Sequence, residues 1–315
     1  MAKRKSTSTR HASQVDCLGM GIIPLDLLFE VGRFPNPGEK IDGLSLTIQG
    51  GGPVPNTLIG LTKFGCKTCL IAAVGQDIFG KLSIDEIKKQ KVDPSHIIIK
   101  GDSSAVASGF VERSSGRRTL VLERRIFVEP KDLNFSNFPK PKIVHLDGRD
   151  IEATVELAKW GKKVGAIVSF DIGSMRNDVS SAFPYVDHLV VADSYAFPFT
   201  GTSGAESAIK KLGKYGPSTI VVTEGIKGAT GYEKGKFHRQ SAYKVKTVDT
   251  TGAGDAFHAG YLYGLLKGYD LAERLKWGAA VAALKCTKPG ARAGIPALNE
   301  IKRFLKSPPE MYDIA

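Results

Sequence analysis

The stretch VDTTGAGDAFHAGYLYGLL, residues 248–266, decides how this chain is read. It sets Gly252, Gly254 and Asp255 between an extended segment and a helix-spaced apolar run, Ala256, Tyr261, Leu262, Leu265 and Leu266. Glycines let backbone N–H groups converge with no side chain in the way, and a helix starting there points its positive end at the same place. With Asp255 beside them, these residues read as an anion cradle that contains a base. On their own they also suit a plain glycine turn with Asp255 as the helix cap.

A second cluster, QGGGPVPNTLIGLTKFG, lies at residues 49–65. Gly50, Gly51 and Gly52 permit close backbone approach, Pro53 and Pro55 stiffen the turn, and Asn56 both donates and accepts hydrogen bonds near the start of a helix. That combination suits a polyhydroxylated ligand, although a glycine turn with an Asn cap is the structural alternative. Other motifs carry less. Gly75 to Lys81 matches the first seven positions of a P-loop, but Leu82 stands where the magnesium-binding hydroxyl belongs. The GxG at Gly19 and Gly21 lacks the third glycine of a dinucleotide fingerprint. Cys66 and Cys69 form a CxxC with no second pair, since Cys17 and Cys286 stand alone, so core thiols in a reducing cytoplasm are expected rather than zinc.

Between these clusters, extended apolar segments (DCLGMGII, TCLIAAVG, HIIIK, KIVHLDG, AIVSFDIG, HLVVADS, TIVVTEG) alternate with helical ones. Such alternation predicts a parallel sheet covered on both faces, with ligands at the carboxyl ends of its strands. Two stretches lack helices and alternate apolar with polar residues: GEKIDGLSLTIQG and the hairpin SAVASGFVERSSGRRTLVLERR, which turns around Ser114–Gly116. They predict a small β-lid from segments at about 38–51 and 103–126. Residues 1–14, MAKRKSTSTRHASQ, read as a disordered basic arm without the apolar core of a secretory signal, ahead of a single domain over 15–315. The chain has 315 residues, 42% hydrophobic and 24% charged, ordinary for a soluble protein. Its net charge of +12 is scattered and not interleaved with aromatics, which argues against nucleic acid as the main partner. No apolar run approaches the ~20 residues that span a bilayer, so no membrane partner is expected.

In GGPVPN, KFGCKTCLIAAVGQDIFG and DTTGAGDAFHAG, in that order, the chain resembles the ribokinase-like carbohydrate kinases, or phosphofructokinase B family, from Val15 to Leu305. HLDGRDIEA, residues 145–153, is most similar to the ketohexokinase branch. The resemblance implies a three-layer α/β sandwich with a mostly parallel central sheet, a β-sheet lid, and an ATP-dependent sugar kinase. It makes Asp255 the base that takes the proton from a sugar hydroxyl, and the amides of Gly252, Ala253 and Gly254 the anion hole. It puts Asp26, Gly51, Gly52, Asn56 and Asp147 at the sugar, and Thr223, Gly225 and Lys227 at the nucleotide together with Gly252, Gly254 and the loop from Pro289 to Pro296, which contains Gly290. It also implies Mg2+, and a monovalent cation such as K+ held with Asp249. The family's Asn-x-x-Glu motif falls on Ala192–Tyr195 (ADSY), where neither end residue can serve magnesium, and Pro24 replaces an Asn of ribose pockets. A ketose acceptor is therefore favoured over ribose. The alternatives are a nucleoside, an anionic sugar gripped by Arg149 and the lid arginines 113, 117, 118, 124 and 125, or a catalytically silent sugar-binding or scaffold member. A cytoplasmic homodimer joined through the lid is expected.

Overall fold

A computed structural model describes residues 14–174 and 178–313. The basic arm lies, but for Gln14, outside the described residues. In chain order the strands are β1 (Gln14–Met20), β2 (Leu25–Val31), β3 (Ser45–Gly50), β4 (Thr68–Val74), β5 (Asp93–Ile99), β6 (Val106–Glu112), β7 (Arg118–Glu123), β8 (Lys140–Leu146), β9 (Ile167–Ile172), β10 (His188–Ala192), β11 (Thr219–Thr223), β12 (Ala229–Glu233) and β13 (Lys236–Gln240). The helices are α1 (Pro53–Lys63), α2 (Ile78–Lys89), α3 (Ile151–Lys163), α4 (Asp193–Thr200), α5 (Ala205–Leu212), α6 (Ala253–Leu266), α7 (Leu271–Cys286) and α8 (Leu298–Lys306).

The large sheet runs β13-β12-β11-β10-β9-β8-β1-β4-β5. All seven strands expected from the sequence are in it and pair in parallel; β12 and β13 extend it antiparallel. Their hairpin turns on Lys234 and Gly235, both at positive φ, as a tight right-twisted connection requires. Near-continuous apolar strands bury both faces, and side chains alternate between two cores. One core packs under α1, α6 and α7, the other under α3, α4 and α5. β1 has β4 on one side and β8 on the other, so the order of connection reverses there, and the cleft opens at the carboxyl ends beside it.

The lid is a four-stranded sheet, β3-β2-β6-β7, in which β2 pairs antiparallel with β3 and parallel with β6. Its first strand, β2, has no counterpart in the sequence reading, which ran one strand through Ile23. β1 stops at Met20, Gly21 to Pro24 turn the chain, and Leu25–Val31 leaves the core to pair on both sides. Conversely, residues 38–44 form no strand.

Two lesser motifs resolve structurally. In the P-loop look-alike, the Asp77 side chain caps α2 by accepting from the Gly80 N–H and also from Ser104. Burial pushes the Cys66 and Cys69 thiols up to about 11 and about 12, so the CxxC offers no thiolate to a metal.

Candidate active site

α6 starts on Gly252, whose φ of 74° lies in the left-handed region. Ala253, Gly254 and Asp255 form its first turn, where backbone N–H groups have no intrahelical acceptor. The Ala253 N–H, expected in the anion hole, instead closes the turn onto the Thr250 carbonyl at 3.1 Å. The amides of Gly252 and Gly254 remain at the mouth of the helix.

α6 lies against α1 because glycine permits it. A Cβ on Gly60 would come within 2.6 Å of the Ala259 Cβ. That contact sets Asn56 and Thr57 against Asp255: the Asn56 Nδ2 donates to the Asp255 carboxylate at 2.6 Å, and the Thr57 hydroxyl donates to its carbonyl at 3.2 Å. Asn56, expected at the sugar, thus gives one of its Nδ2 hydrogens to Asp255. Its amide is oriented by Arg292, whose Nε donates to Asn56 Oδ1 at 2.8 Å, whose Nη2 donates to the Gly51 carbonyl at 2.6 Å, and whose Nη1 pairs with Glu86 at 2.8 Å. Gly50 leaves room for that ion pair, since a Cβ there would overlap the Arg292 guanidinium. Lys63 in turn holds the loop by donating to the Arg292 and Ile295 carbonyls. Arg292 was missed in the sequence, where KPGARAG offers only a basic residue in a glycine loop.

Burial, reinforced by the charge of Asp171, pushes the Asp255 carboxyl up to about 7, while the Asn56 hydrogen bond pulls it down. A base poised near neutrality is the useful kind. Asp171, next to the last residue of β9, stands 3.0 Å from the Nε2 of His258, one turn after Asp255; it too was missed.

Two other carboxylates, Asp26 and Asp147, were expected at the sugar. Asp26 on the lid sits over Gly51, where a Cβ would lie 2.5 Å from its carboxylate, and burial raises it to about 6. Gly52, at φ 98°, starts α1 beneath it. Asp147, just past β8, accepts from the Ile22 and Arg149 amides, and burial pushes it up to about 8. Gly21, dismissed as part of a weak GxG, is bare because a Cβ would meet the Asp147 carboxylate at 2.4 Å. Arg149 lines the same cavity as Asp147, Asp171 and Ser174, and its buried Nε has no hydrogen-bond partner among the described residues.

Of the lid arginines, Arg113, Arg117 and Arg125 pair with Glu30, Glu112 and Glu123. Arg124 is tied to the buried Asp150. Arg118 alone reaches across, donating to the Thr251 hydroxyl at 2.8 Å, beside the anion hole.

On the other side of Gly254, a mostly apolar cavity is lined by Thr223, Gly225, Ile226, Tyr243, Ala253, Gly254 and Tyr312 among others. Thr223 and Gly225, expected at the nucleotide, are among its lining. Lys227 is exposed and outside the lining, and Gly290 lies on the lid side, its N–H donated to Asp249 at 2.8 Å. Tyr312 arrives through the C-terminal segment, which no local pattern announced. Tyr195, in the place of the missing Glu, is buried and stacks on Phe199 at 5.2 Å.

A carboxylate near neutrality at the mouth of a helix, with a polar cavity holding Asp147 and Arg149 and a separate, mostly apolar cavity beside Gly254, suits a kinase acting on a hydroxyl group. Residues 14–298 match the description pfkB family carbohydrate kinase, and the chain belongs to that family. It is an ATP-dependent sugar kinase by class. Among curated relatives it is 25% identical to the 5-dehydro-2-deoxygluconokinase of Shouchella clausii over 94% of this chain and 97% of that one. It is 25% identical to the ribokinase of Haemophilus influenzae over 91% and 97%. Among solved structures, the ribokinase of Thermotoga maritima superposes with a TM-score of 0.82 at 25% identity, covering 93% of this chain and all of that one.

Proposed function

We propose that the enzyme phosphorylates the hydroxymethyl group of a ketose-type sugar that carries an anionic group at its far end, a keto-sugar acid being the simplest such molecule. The observation that carries this reading is Arg149, whose buried Nε has no hydrogen-bond partner among the described residues and which lines the cavity that holds Asp147. A guanidinium fork suits a carboxylate, phosphate or sulfonate. The relative from Shouchella clausii, named for a sugar acid with a keto group, supports the same class. In this reading Asp26 and Asp147 accept from sugar hydroxyls, Asp255 takes the proton from the attacking hydroxyl, and the Gly252 and Gly254 amides face the transferring phosphoryl.

ATP lies in the cavity between Thr223 and Tyr312 with its phosphates toward Gly254. Mg2+ bound with ATP neutralises phosphate charge. Asp193 at the start of α4 and Glu224 after β11 offer the hard oxygen ligands it prefers, close enough together that the Asp193 charge helps raise Glu224, after burial itself. ATP as donor supports a cytoplasmic place of action, and no described helix is long and apolar enough to cross a membrane.

Dimerisation through the lid is supported by its outer face. Leu27, Phe29, Leu46, Ile48, Phe110 and Val121 share one side of the sheet by register, and Phe29, Leu46, Ile48 and Val121 are 40%, 50%, 56% and 70% exposed. The opposite face carries Asp26 and Arg118 to the cleft.

The test is a comparison of kcat/KM for fructose, ribose, a nucleoside and a 5-keto sugar acid with Mg2+ and ATP. The keto acid is expected to lead, and Arg149→Ala is expected to remove its advantage over fructose by about tenfold or more. Fructose used by wild type at least as efficiently as the keto acid, in a ratio that Arg149→Ala leaves unchanged, leaves a neutral ketose kinase and defeats the anionic part.

A further inference from the structure

Lys285 stands in the last turn of α7 at 0% exposure. Its Nζ donates to the Asp249 carbonyl at 2.6 Å and stands 3.7 Å from the Asp249 carboxylate. That carboxylate accepts from the Thr251 and Gly290 N–H groups, each at 2.8 Å. Thr251 runs directly into Gly252. An unbroken chain of contacts thus links the ammonium to Asp249, to the turn, and to the amides at the mouth of α6.

The resemblance read from the sequence implied K+ at Asp249 and the loop after Pro289. A bound K+ requires several oxygens turned toward one point, and here they are spent. The Asp249 carbonyl accepts from Lys285, the Cys286 carbonyl from the Val248 and Asp249 amides at 2.8 and 3.2 Å, and the Gly290 carbonyl from the Gly294 amide at 3.2 Å. Gly294 completes the fit, since a Cβ there would lie 3.1 Å from the Lys285 Cε. These residues do not fit a monovalent cation; they fit a lysine.

We propose that the Lys285 ammonium is a tethered substitute for a monovalent cation: a positioning residue that braces the Asp249 turn and sets a fixed positive charge behind the Gly252 and Gly254 amides, making phosphoryl transfer independent of K+. Burial works against the charge on Lys285, and Asp249 opposes that effect. Asp249 is itself held below the usual carboxylate range, against its own burial, by the Thr251 amide, Lys285 and the Gly290 amide. The pair thus joins a buried ammonium to a half-buried carboxylate that also accepts from two amides, a setting in which such a pair is tolerated. The inference rests on the 252–255 turn being the phosphoryl site.

Turnover is to be measured in tetramethylammonium chloride and in KCl at equal ionic strength. Wild type should be indifferent, within about twofold. Lys285→Ala, which opens a cavity onto Asp249, should lose about 10²-fold, the scale of one preorganised group at a phosphoryl or oxyanion site, and regain activity in KCl or NH4Cl. Lys285→Met, which fills the volume without charge, should lose activity and not regain it. K+ should also raise the melting temperature of Lys285→Ala and not of wild type. That last readout needs no acceptor, so it stands even where the proposed sugar class fails. Activation of wild type by K+, a Lys285→Met enzyme as active as wild type, or a folded Lys285→Ala unmoved by K+ in both rate and melting would each overturn the proposal.

Discussion

Opposing influences meet on Asp255, the proposed base: burial and Asp171 raise its carboxyl to about 7, and Asn56 donates to its ionised form. Asp255→Asn keeps the shape and removes the base. It is expected to cut kcat by about 10² to 10⁴-fold while ATP and acceptor still bind, as measured by calorimetry; a variant retaining most of its kcat would remove Asp255 from the mechanism. Because the base must be ionised to work, kcat/KM should fall as pH drops through about 7. Asn56→Ala withdraws a hydrogen bond that favours the charged form, so its acid limb should move to higher pH. An unmoved limb in that variant would mean that Asn56 acts elsewhere, for instance on the sugar. Asp255 was legible in the sequence because a carboxylate beside glycines at a helix start is a local pattern. Arg292, which orients Asn56 from 236 residues away, was not.

At the scale of the element, α6 depends on a single residue in left-handed conformation. Gly252→Ala places a Cβ where φ is 74° and 2.9 Å from the Ala291 Cβ. It should cost about 1–2 kcal/mol in denaturant unfolding and lower kcat beyond any change in KM, because the amides of the cradle shift with the turn. Loss of stability without loss of kcat would argue that the cradle is not where phosphoryl transfer occurs. The lid is tied to the same turn through Arg118 and Thr251. Bound acceptor is therefore expected to slow hydrogen exchange in β3, β6 and β7 more than in α3 and α5, since closure excludes water from the reacting centre. Equal exchange in all five elements at saturating acceptor would speak against a moving lid.

Over the whole molecule, two deep carboxyls make stability depend on pH in an uncommon direction. Asp255 and Asp147 keep protons up to about 7 and about 8 in the folded chain, whereas the unfolded chain has lost both well below that. Above pH ~6.5 the folded state thus binds more protons than the unfolded, and stability falls as pH rises toward ~8. His145 and His188, held neutral by burial, act in the opposite sense only below ~6.5, where the unfolded imidazoles charge. The melting temperature of the ligand-free enzyme should decline across that window, and Asp147→Asn should flatten the decline; a rise with pH would contradict the raised carboxyls. The outer face of the lid belongs to this scale too. Ile48→Asp, on the exposed side away from the cleft, should convert a dimer to monomers in sedimentation with the fold intact, and an unchanged mass would exclude that face.

The sequence by itself determined the seven parallel strands, the two sheet-covering layers of helices, and the glycines and carboxylate set together at the start of α6. Each of these is written in residues near one another in the chain, as a period, a turn or a cap. Only the tertiary structure decided that β2 leaves the core for the lid, because its partners β3 and β6 are distant in sequence. The same holds for Asn56, bonded to Asp255, for Ala253, whose N–H closes its own turn, and for Lys285, whose ammonium rests on Asp249, the residue that the family resemblance assigned to K+. A side chain's partner is set by what the fold brings within ~3 Å of it, and hydrogen-bonding groups that meet across long stretches of chain leave no local pattern to read.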